Sequence, residues 1–359
     1  IGISGGMIVA LGTRRDIRDW RGSRTTHVEL GDSTVLPGIT DCHSHPILGA
    51  ELTAGTDLSG VDNLADLRET LAKRAAETTT EEWIYGWGLR PVAFEGTVPD
   101  RDLIDDATRG RACLLRMFDG HSALANSAAM LSASPREPIE LGAAQLVREQ
   151  SGRLTGYLRE LAAIAVVADA APRRSMSELT RNVLHALSGM ARAGITSIHS
   201  LEFPPMAAAI FDELENNGPL PVRIRCLPWC QADSRPDEWA QLVELQKAGG
   251  RLWSVGGVKL FLDGTIDDGT AWLSKPDTLG RSISSTWSDP FEYTAAVRYF
   301  SARGVGTATH AIGDQAVAHV LDTVEALPRQ TTAWHRIEHI ETLLARDVPR
   351  FAKLGVYAS

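Results

Sequence analysis

The stretch "LPGITDCHSHP", residues 36–46, predicts a short strand that ends in two histidines. Because alternate side chains of a strand share a face, Asp41, His43 and His45 are expected to point the same way. Pro46 ends the strand, since proline has no N–H for the sheet ladder. From this stretch alone, the two histidines are either a metal-binding pair or the polar end of a strand.

Similar apolar runs recur along the chain and indicate the fold class. They are "GITSIHS" from Gly194, "VRIRCLPW" from Val222, "VGGVKLFLDG" from Val255, "VGTATHAIGD" from Val305, "HRIEHI" from His335 and "GVYAS" from Gly355. Segments with the spacing of amphipathic helices separate most of them. Repeated strand, helix and strand is typical of parallel βα units, and seven strands approach the eight of a (β/α)₈ TIM barrel. We therefore predict an α/β fold with its site at the carboxyl ends of the strands.

Two regions depart from this repeat. Residues 1–37 contain the strand-like stretches "GMIVALG" and "THVELGDSTVLPG" and are predicted to be part of a small β domain. Residues 38–359 are predicted to form the barrel, with an insertion at about residues 58–155 between its first two strands. Within the insertion we predict a helix in "NLADLRETLAKRAAE", one strand in "ACLLRMFDGH" and a helix that begins at Ala123.

The composition excludes several classes of partner. The chain has 359 residues, 43% of them hydrophobic and 23% charged, and its net charge of −9 is spread without a basic block. Nucleic acid and membrane partners are therefore not expected, whereas a small-molecule substrate is. The four cysteines lack Cys-x-x-Cys spacing and no stretch resembles a signal peptide, so we predict a cytoplasmic protein with reduced thiols. A homodimer is left open.

Two more histidines close later strands. His310 ends "GVGTATH", where Gly306 and Ala308 leave room on the same face, and His339 ends "RIEH". One histidine at a strand end is usually a hydrogen-bonded polar cap. Four histidines at the ends of three strands favour a metal site instead, because buried imidazoles without partners are costly.

Lys259 is expected inside the barrel by the same alternation, together with Phe261 and Asp263. A buried ammonium without a partner costs on the order of several kcal/mol. Lys259 is therefore expected to be neutral, paired with Asp263 or another carboxylate, or carboxylated by carbon dioxide. The last change would make an anionic carbamate that could bridge two metal ions. The sequence leaves these alternatives open.

Four stretches together resemble the amidohydrolase superfamily, in particular its branch of N-substituted formamide deformylase-like metal-dependent hydrolases. They are "LPGITDCHSHP", "GVKLFLDGTIDDGTAW", "THAIGDQAV" and "RIEHIETLLARDVPRFAKLGVYAS". In the insertion, "DGHSALANSAAM" is similar to the substrate-loop motif of the same branch. The resemblance implies a distorted (β/α)₈ barrel with a small β-sandwich domain built from both chain ends. It also implies two divalent metal ions at the barrel mouth, zinc first and iron or manganese as alternatives.

On the matching positions, the resemblance places His43 and His45 on one ion and His310 and His339 on the other. Carboxylated Lys259 would bridge the ions. Lys259, His310 and His339 would carry the catalytic chemistry. The branch continues beyond the strand at residues 355–359 into an eighth strand with a catalytic aspartate. The chain is therefore expected to lack that strand, that aspartate and part of the β domain.

Four further residues are predicted near the site. His121, in the insertion motif, and Trp87, in "WIYGWG", are expected to contact substrate, although a backbone-anchored loop histidine and local core packing explain them too. Asp41 is expected to orient a metal-bound histidine, as carboxylates beside metal sites do. His199, which ends "GITSIH", is expected to lie behind the metal ligands.

The predicted function is metal-dependent hydrolysis of a carbon–nitrogen bond other than a peptide bond, through a hydroxide that bridges the two ions. An amide or N-formyl group is the first substrate class. Two alternatives stay open. One is hydrolysis of cyclic amides, carbamates or esters, and the other is a non-catalytic metal- or ligand-binding barrel if the chain is naturally truncated at Ser359.

Overall fold

The computed structural model describes residues 1–53, 55–135, 145–172, 175–267, 269–328 and 332–359, which form two compact units, Ile1–Pro37 and Gly38–Ser359. The strands are β1 (Gly2–Ser4), β2 (Met7–Ala10), β3 (Ile39–Ser44), β4 (Thr56–Asp57), β5 (Ile84–Leu89), β6 (Cys113–Met117), β7 (Ser122–Ala125), β8 (Gln145–Arg148), β9 (Leu154–Arg159), β10 (Ile195–Ser200), β11 (Arg223–Cys226), β12 (Trp229–Cys230), β13 (Trp253–Val255), β14 (Val258–Phe261), β15 (Thr307–Ala311), β16 (His335–His339) and β17 (Tyr357–Ala358).

Helices alternate with many of these strands. The α-helices are α1 (Pro46–Leu52), α2 (Leu64–Glu77), α3 (Asp105–Thr108), α4 (Ser127–Ala133), α5 (Leu161–Ala168), α6 (Met176–Arg192), α7 (Ala207–Asn217), α8 (Pro236–Leu245), α9 (Pro290–Ser301), α10 (Asp314–Glu325) and α11 (Val348–Leu354). Short 3₁₀ helices cover Arg18–Trp20, Pro91–Phe94 and Arg101–Leu103. Within the described ranges, no helix combines the length and apolar character needed to cross a membrane.

The first unit, Ile1–Pro37, contains one antiparallel hairpin, in which β1 pairs with β2. The strand predicted in "THVELGDSTVLPG" is wrong, because residues 26–37 form no strand and are exposed throughout. A strand is stable only when a neighbour takes its backbone hydrogen bonds. The β-branched residues of this stretch have no such neighbour in the hairpin.

The seven strand-like runs of the second unit become parallel strands. β3, β10, β11 and β13 form one sheet in that order, and β12, β14, β15, β16 and β17 form another. The two sheets join because β12 continues from β11 and β14 from β13. At the junction, Gly256 N–H donates to Cys226 O and Lys259 N–H donates to Pro228 O, each at 2.9 Å. The fold is therefore mixed α/β, with parallel strands and intervening helices.

The helices pack on one face of these strands, as their sequence period requires. In α6, Ser175 Oγ accepts a hydrogen bond from Glu178 N–H at the helix start. Leu179, Val183 and Leu187 are buried at four-residue spacing and pack in one cluster with residues of β10 and β11. The opposite face of each strand is thereby left for interior side chains.

A six-stranded sheet lies in the chain between β3 and β10, in the order β4, β5, β6, β7, β9 and β8. The predicted helix is α2 and the predicted strand is β6. The helix predicted from Ala123 is wrong at its start, because Ala123 lies in β7 and α4 begins at Ser127, capped by Asn126. All four residues of β7 are buried, so its sequence shows no alternation that could have revealed a strand.

Gly306 marks a closely packed point of the interior. A Cβ on Gly306 would lie 2.2 Å from Trp334 Cε2, and Trp334 packs against Leu201, Leu227 and Ala308. Because the indole cannot move without displacing these neighbours, Gly306→Ala is expected to lower the free energy of unfolding by about 1–3 kcal/mol. Urea denaturation followed by tryptophan fluorescence measures the change.

Gly189→Ala is the matched control for that substitution. Gly189 lies in α6, where a Cβ would meet only the end of the flexible Arg192 side chain, at 3.7 Å. Alanine favours a helix over glycine by about 1 kcal/mol, so the control is expected to be neutral or stabilising. Equal stability of the two variants would contradict close packing around Gly306.

Candidate metal centre

Three strand ends bring four histidines into one cluster. His43 lies in β3 and His45 follows it, while His310 lies in β15 and His339 ends β16. The ring centroids of His43 and His45 are 5.4 Å apart, and those of His43 and His339 are 4.8 Å apart. Those of His310 and His339 are 4.4 Å apart. The four imidazoles that the sequence predicts as ligands therefore lie together.

Lys259 adds a buried amine to this cluster. Its side chain is 1% exposed, and Nζ has no hydrogen-bond partner among the described residues. Burial lowers the pKa of the amine to about 7, an effect that the charge of Glu338 opposes and that of Arg336 increases. Positive charge on Lys259 in turn helps to lower the pKa of His310 and of His339. Lys259 lies in β14, which pairs directly with β15, the strand that carries His310.

Asp263 does not pair with Lys259. Its carboxylate accepts hydrogen bonds from the backbone N–H groups of Trp272 at 2.9 Å, Ile312 at 3.0 Å and Gly313 at 2.7 Å. These contacts fix the segment after β14 to the amino end of α10. Of the alternatives that the sequence left open, the Lys259–Asp263 ion pair is therefore not formed.

Hydrogen bonds determine which ring nitrogen two of the histidines present. His43 Nδ1 lies 2.8 Å from Glu338 Oε2, and His310 Nε2 lies 3.1 Å from the carbonyl oxygen of Gly264. Burial opposes ionisation of Glu338, but the hydrogen bond to His43 and nearby positive charge lower the pKa of Glu338 to about 2. Neither acceptor oxygen can donate, so His43 Nδ1 and His310 Nε2 carry the hydrogens. The lone pairs remain on His43 Nε2 and His310 Nδ1.

Burial also keeps three of the imidazoles neutral, those of His45, His310 and His339. It lowers the pKa of His45 and His339 to about 4 and that of His310 to about 3, and positive charge on neighbouring side chains adds to the effect. A neutral imidazole is the form that binds metal ions. Near neutral pH, each of these three rings therefore has a lone pair that can bind a metal ion.

Arg336 and Glu338 support the cluster, and sequence reasoning missed both. Arg336 Nε donates to Glu338 Oε1, Nη2 donates to the carbonyl oxygen of Cys42 at 2.9 Å, and Nη1 donates to His199 Nδ1 at 2.8 Å. Arg336 is 7% exposed and Glu338 is fully buried. The available signal was their spacing in "RIEH", since residues two apart in a strand share a face.

His339 reaches the cluster through strained backbone. Because Arg336 and Glu338 face the interior, simple alternation would turn His339 toward the opposite face. Instead φ is +76° at His339 and +52° at Ile340, which redirects the ring toward His310. Positive φ in non-glycine residues costs on the order of 1–3 kcal/mol each and is concentrated at functional sites. The one-letter sequence contains no signal for this turn.

Asp41 and His199 lie beside the cluster rather than within it. Asp41 Oδ1 accepts the backbone N–H of His43 at 3.0 Å, whereas Glu338 contacts the ring of that histidine. His199 contacts Arg336. Glu338 therefore makes the ring contact that was predicted for Asp41, and the place of His199 behind the metal ligands stays a prediction.

His121 and Trp87 belong to the region of the six-stranded sheet. His121 precedes β7, and its Nδ1 lies 3.1 Å from Glu160 Oε2. Charge on His121 is the smallest of the causes given for the lowered pKa of His310 and of His339. Trp87 is half-buried in β5, and its described contacts do not reach the histidines.

The donor chemistry of the cluster fits divalent metal ions. In the described part of the chain, no group of three or more His, Cys, Asp or Glu side chains is placed to hold a metal ion. The ring centroids instead follow one another in the order His45, His43, His339 and His310, at separations of 5.4, 4.8 and 4.4 Å. Within the described residues, His45 Nδ1 and Lys259 Nζ are buried without hydrogen-bond partners, as expected of atoms meant for another ligand.

Comparison with known proteins identifies related sequences and folds. The model of the amidohydrolase family matches residues 27–359. Protein LONG AFTER FAR-RED 3 of Arabidopsis thaliana is 27% identical over 99% of this chain and 63% of its own length. N-substituted formamide deformylase of Arthrobacter pascens is 24% identical over 99% of this chain and 67% of its own length.

A solved structure with the same fold is that of an uncharacterized metal-dependent hydrolase from Pyrococcus horikoshii OT3. It superposes with a TM-score of 0.66 and 22% identity, covering 90% of this chain and 62% of that chain. At this identity the likeness is one of fold. The chain thus spans between 62% and 67% of the length of these three proteins.

Proposed function

The chain belongs to the amidohydrolase family, and we propose that it is a metal-dependent hydrolase of carbon–nitrogen bonds other than peptide bonds. Its substrate would carry an amide or N-formyl group. The observation that carries the proposal is the cluster of four histidines at three strand ends, together with the buried amine of Lys259, which has no hydrogen-bond partner in the described part of the chain. For the whole protein we propose the distorted (β/α)₈ barrel with a small β-sandwich domain, which the run of seven parallel strands supports.

We propose that two divalent ions bind the cluster, zinc before iron or manganese. His43 and His45 would hold one ion, His310 and His339 the other, and carboxylated Lys259 would bridge them. Imidazole and carboxylate-type oxygen are ligands that suit these metals. When bound, the ions would polarise the substrate carbonyl and make water more acidic.

The residues of the chain prepare this chemistry. An amine with a pKa of about 7 is neutral in a large fraction of molecules near pH 7, and only the neutral amine of Lys259 can attack carbon dioxide. Attack forms an N–C bond as one C=O π bond of carbon dioxide opens to C–O⁻, and the nitrogen loses a proton to solvent, which leaves an anionic carbamate on Lys259. Glu338 accepts the Nδ1 hydrogen of His43, which leaves the Nε2 lone pair of that ring available for a metal ion.

Compartment and partners are proposed with the activity. Among the described residues, the four cysteines are free thiols, which supports a reducing compartment such as the cytoplasm. A small molecule is the proposed substrate, and a homodimer stays a prediction. The free cysteines are Cys42, Cys113, Cys226 and Cys230.

His310→Ala is expected to lower kcat/KM by at least about 100-fold, because even changes outside the ligand set of a metal site cost 10- to 100-fold. The intact protein should contain about two zinc ions per chain by mass spectrometry and hydrolyse N-benzylformamide. Matched measurements on a lactam, a carbamate and an ester separate the alternative substrate classes.

His185→Ala is the control for that variant. His185 is exposed on α6, so its removal should leave metal content and hydrolysis unchanged. Full activity in metal-free protein, or in His310→Ala, would refute the proposed function.

A further inference from the structure

Helix α1 begins directly after His45, and its first turn is not capped in the usual way. His45 occupies the N-cap position, but its side chain accepts no hydrogen bond from the helix. Serine, threonine, aspartate and asparagine are preferred at this position, because their side chains accept the N–H of the second or third helical residue. With a histidine at the N-cap, another residue has to accept these N–H groups.

Glu202, which follows β10, accepts them. Its Oε1 accepts the N–H of Ile47 at 2.8 Å and the N–H of Leu48 at 3.1 Å, and Oε2 lies 3.1 Å from the nitrogen of Leu48. Ile47 and Leu48 are the second and third residues of α1. A carboxylate is also favoured electrostatically at the amino end of a helix. Glu202 therefore supplies the cap that the side chain at position 45 does not.

The turn that carries Glu202 is fixed to the neighbouring strands. Leu201 N–H donates to Ser44 O at 2.9 Å, which joins the end of β10 to the end of β3. Trp229 Nε1 donates to Leu201 O at 2.6 Å. Glu202 itself is 4% exposed. Because a buried charge is costly unless it is hydrogen-bonded, the contacts with α1 hold this carboxylate in one place.

The cap leaves the ring of His45 for another partner. His45 Nδ1 is buried and has no hydrogen-bond partner among the described residues. The ring lies beside that of His43, at 5.4 Å between centroids. A ring nitrogen that caps a helix has its lone pair occupied, and the same nitrogen cannot then bind a metal ion. Capping by Glu202 removes this competition.

We propose that Glu202 is a positioning residue of the metal centre, which caps α1 in place of the side chain at position 45 and so leaves the His45 ring for a metal ion. The inference rests on the proposed hydrolase function, in which His43 and His45 hold one of two ions. It assigns a role to a carboxylate that is neither a proposed ligand nor a partner of a ligand ring.

Zinc titration of the intact protein against a chelating dye tests this role. In Glu202→Ala, affinity for one of the two zinc ions is expected to fall at least about tenfold, the usual cost of losing an outer contact of a metal site. The second ion should keep its affinity. Glu202→Gln should lose less than about threefold, because one amide oxygen can still accept both N–H groups.

Asp289→Ala is the matched control. Asp289 Oδ1 accepts the N–H of Phe291 at 2.9 Å at the start of α9, which also begins with a proline. Loss of this cap should lower the urea midpoint of unfolding but leave both zinc affinities unchanged. Loss of both ions or of neither in Glu202→Ala, or the same loss in Asp289→Ala, would overturn the inference.

A double variant tests the competition without metal. Asparagine is a strong N-cap residue, so in metal-free Glu202→Ala the further change His45→Asn should supply the missing cap. The urea midpoint should then rise by about 0.3 M, the shift expected from one helix cap. In the parent, where Glu202 already caps α1, His45→Asn should give no such gain. An equal effect in the two backgrounds would contradict the competition.

The outcomes separate the two proposals. If the parent binds two zinc ions and hydrolyses formamides but Glu202→Ala keeps both affinities, the hydrolase function stands and the role of Glu202 is overturned. If the parent binds no zinc, the proposed function fails, and the urea midpoints of the metal-free variants decide the inference. If Glu202→Ala does not fold, recovery of folding by His45→Asn supports the inference, and no recovery overturns it.

Discussion

Lys259→Ala is expected to abolish metal binding and hydrolysis together. Zinc content should fall from about two ions per chain to well below one, and kcat/KM should fall by at least about 10³-fold. Both the position of Lys259 and the chemistry of its amine lead to this expectation. The amine of Lys259 is buried and has no hydrogen-bond partner among the described residues, and alanine can supply neither an amine nor a carbamate. Metal analysis and steady-state kinetics on the same preparation measure both effects.

Two comparisons make this result specific. Lys247→Ala removes a lysine from an exposed pair with Glu244 and should change neither quantity. Adding a short carboxylate such as acetate to Lys259→Ala should restore part of the metal binding, because the vacated space can take an anionic two-oxygen ligand. Retention of about two zinc ions in Lys259→Ala without added carboxylate would contradict the bridging role.

The parallel strands were predictable because each carries a strong local signal. β3, β10, β14 and β15 are short β-branched or apolar runs in a chain where helical periodicity recurs between such runs, and this pattern specifies parallel strands. In the inserted sheet only β6 was predicted as a strand. β7 pairs with β6 on one side and with β9, which lies beyond α4 in the chain, on the other, so local sequence shows too little of its environment.

The position of the cluster was predictable from strand alternation, but the direction of the His339 ring was not. His43, Lys259 and His310 occupy interior positions of regular strands. His339 does not, because two consecutive residues with positive φ override the alternation. From the sequence, Asp41 was predicted to be the carboxylate that orients a metal-bound histidine, since it shares a strand face with His43 and His45. The structure instead uses Glu338, which only the pairing of distant strands brings near His43.

Cavity size would not have located the cluster. A cavity of about 860 Å³ lies among α8, α9 and α10 and is lined by residues such as Trp239, Phe291 and His319. None of its lining residues belongs to the histidine cluster. The chemistry of the side chains, rather than the volume they enclose, is therefore what identifies the candidate site.

Glu338→Gln is expected to weaken metal binding by about 10- to 100-fold, the usual effect of removing the partner of a ligating histidine. Glutamine keeps the volume, but its amide can donate to His43 Nδ1 and so transfer the ring hydrogen to Nε2, where the lone pair is needed. The substitution also leaves the buried guanidinium of Arg336 without its anion, which should lower the free energy of unfolding by about 3 kcal/mol. Zinc titration and urea denaturation measure the two effects separately.

A double variant distinguishes positioning of His43 from simple stability. Glu338→Leu combined with Arg336→Met removes both buried charges, and replacing a buried ion pair by apolar residues is often neutral or stabilising. The free energy of unfolding should therefore recover toward that of the parent, whereas zinc affinity should stay low because His43 still lacks an acceptor for Nδ1. Recovery of zinc affinity along with stability would show that Glu338 matters only for the fold. Unchanged affinity in Glu338→Gln would show that His43 needs no such partner.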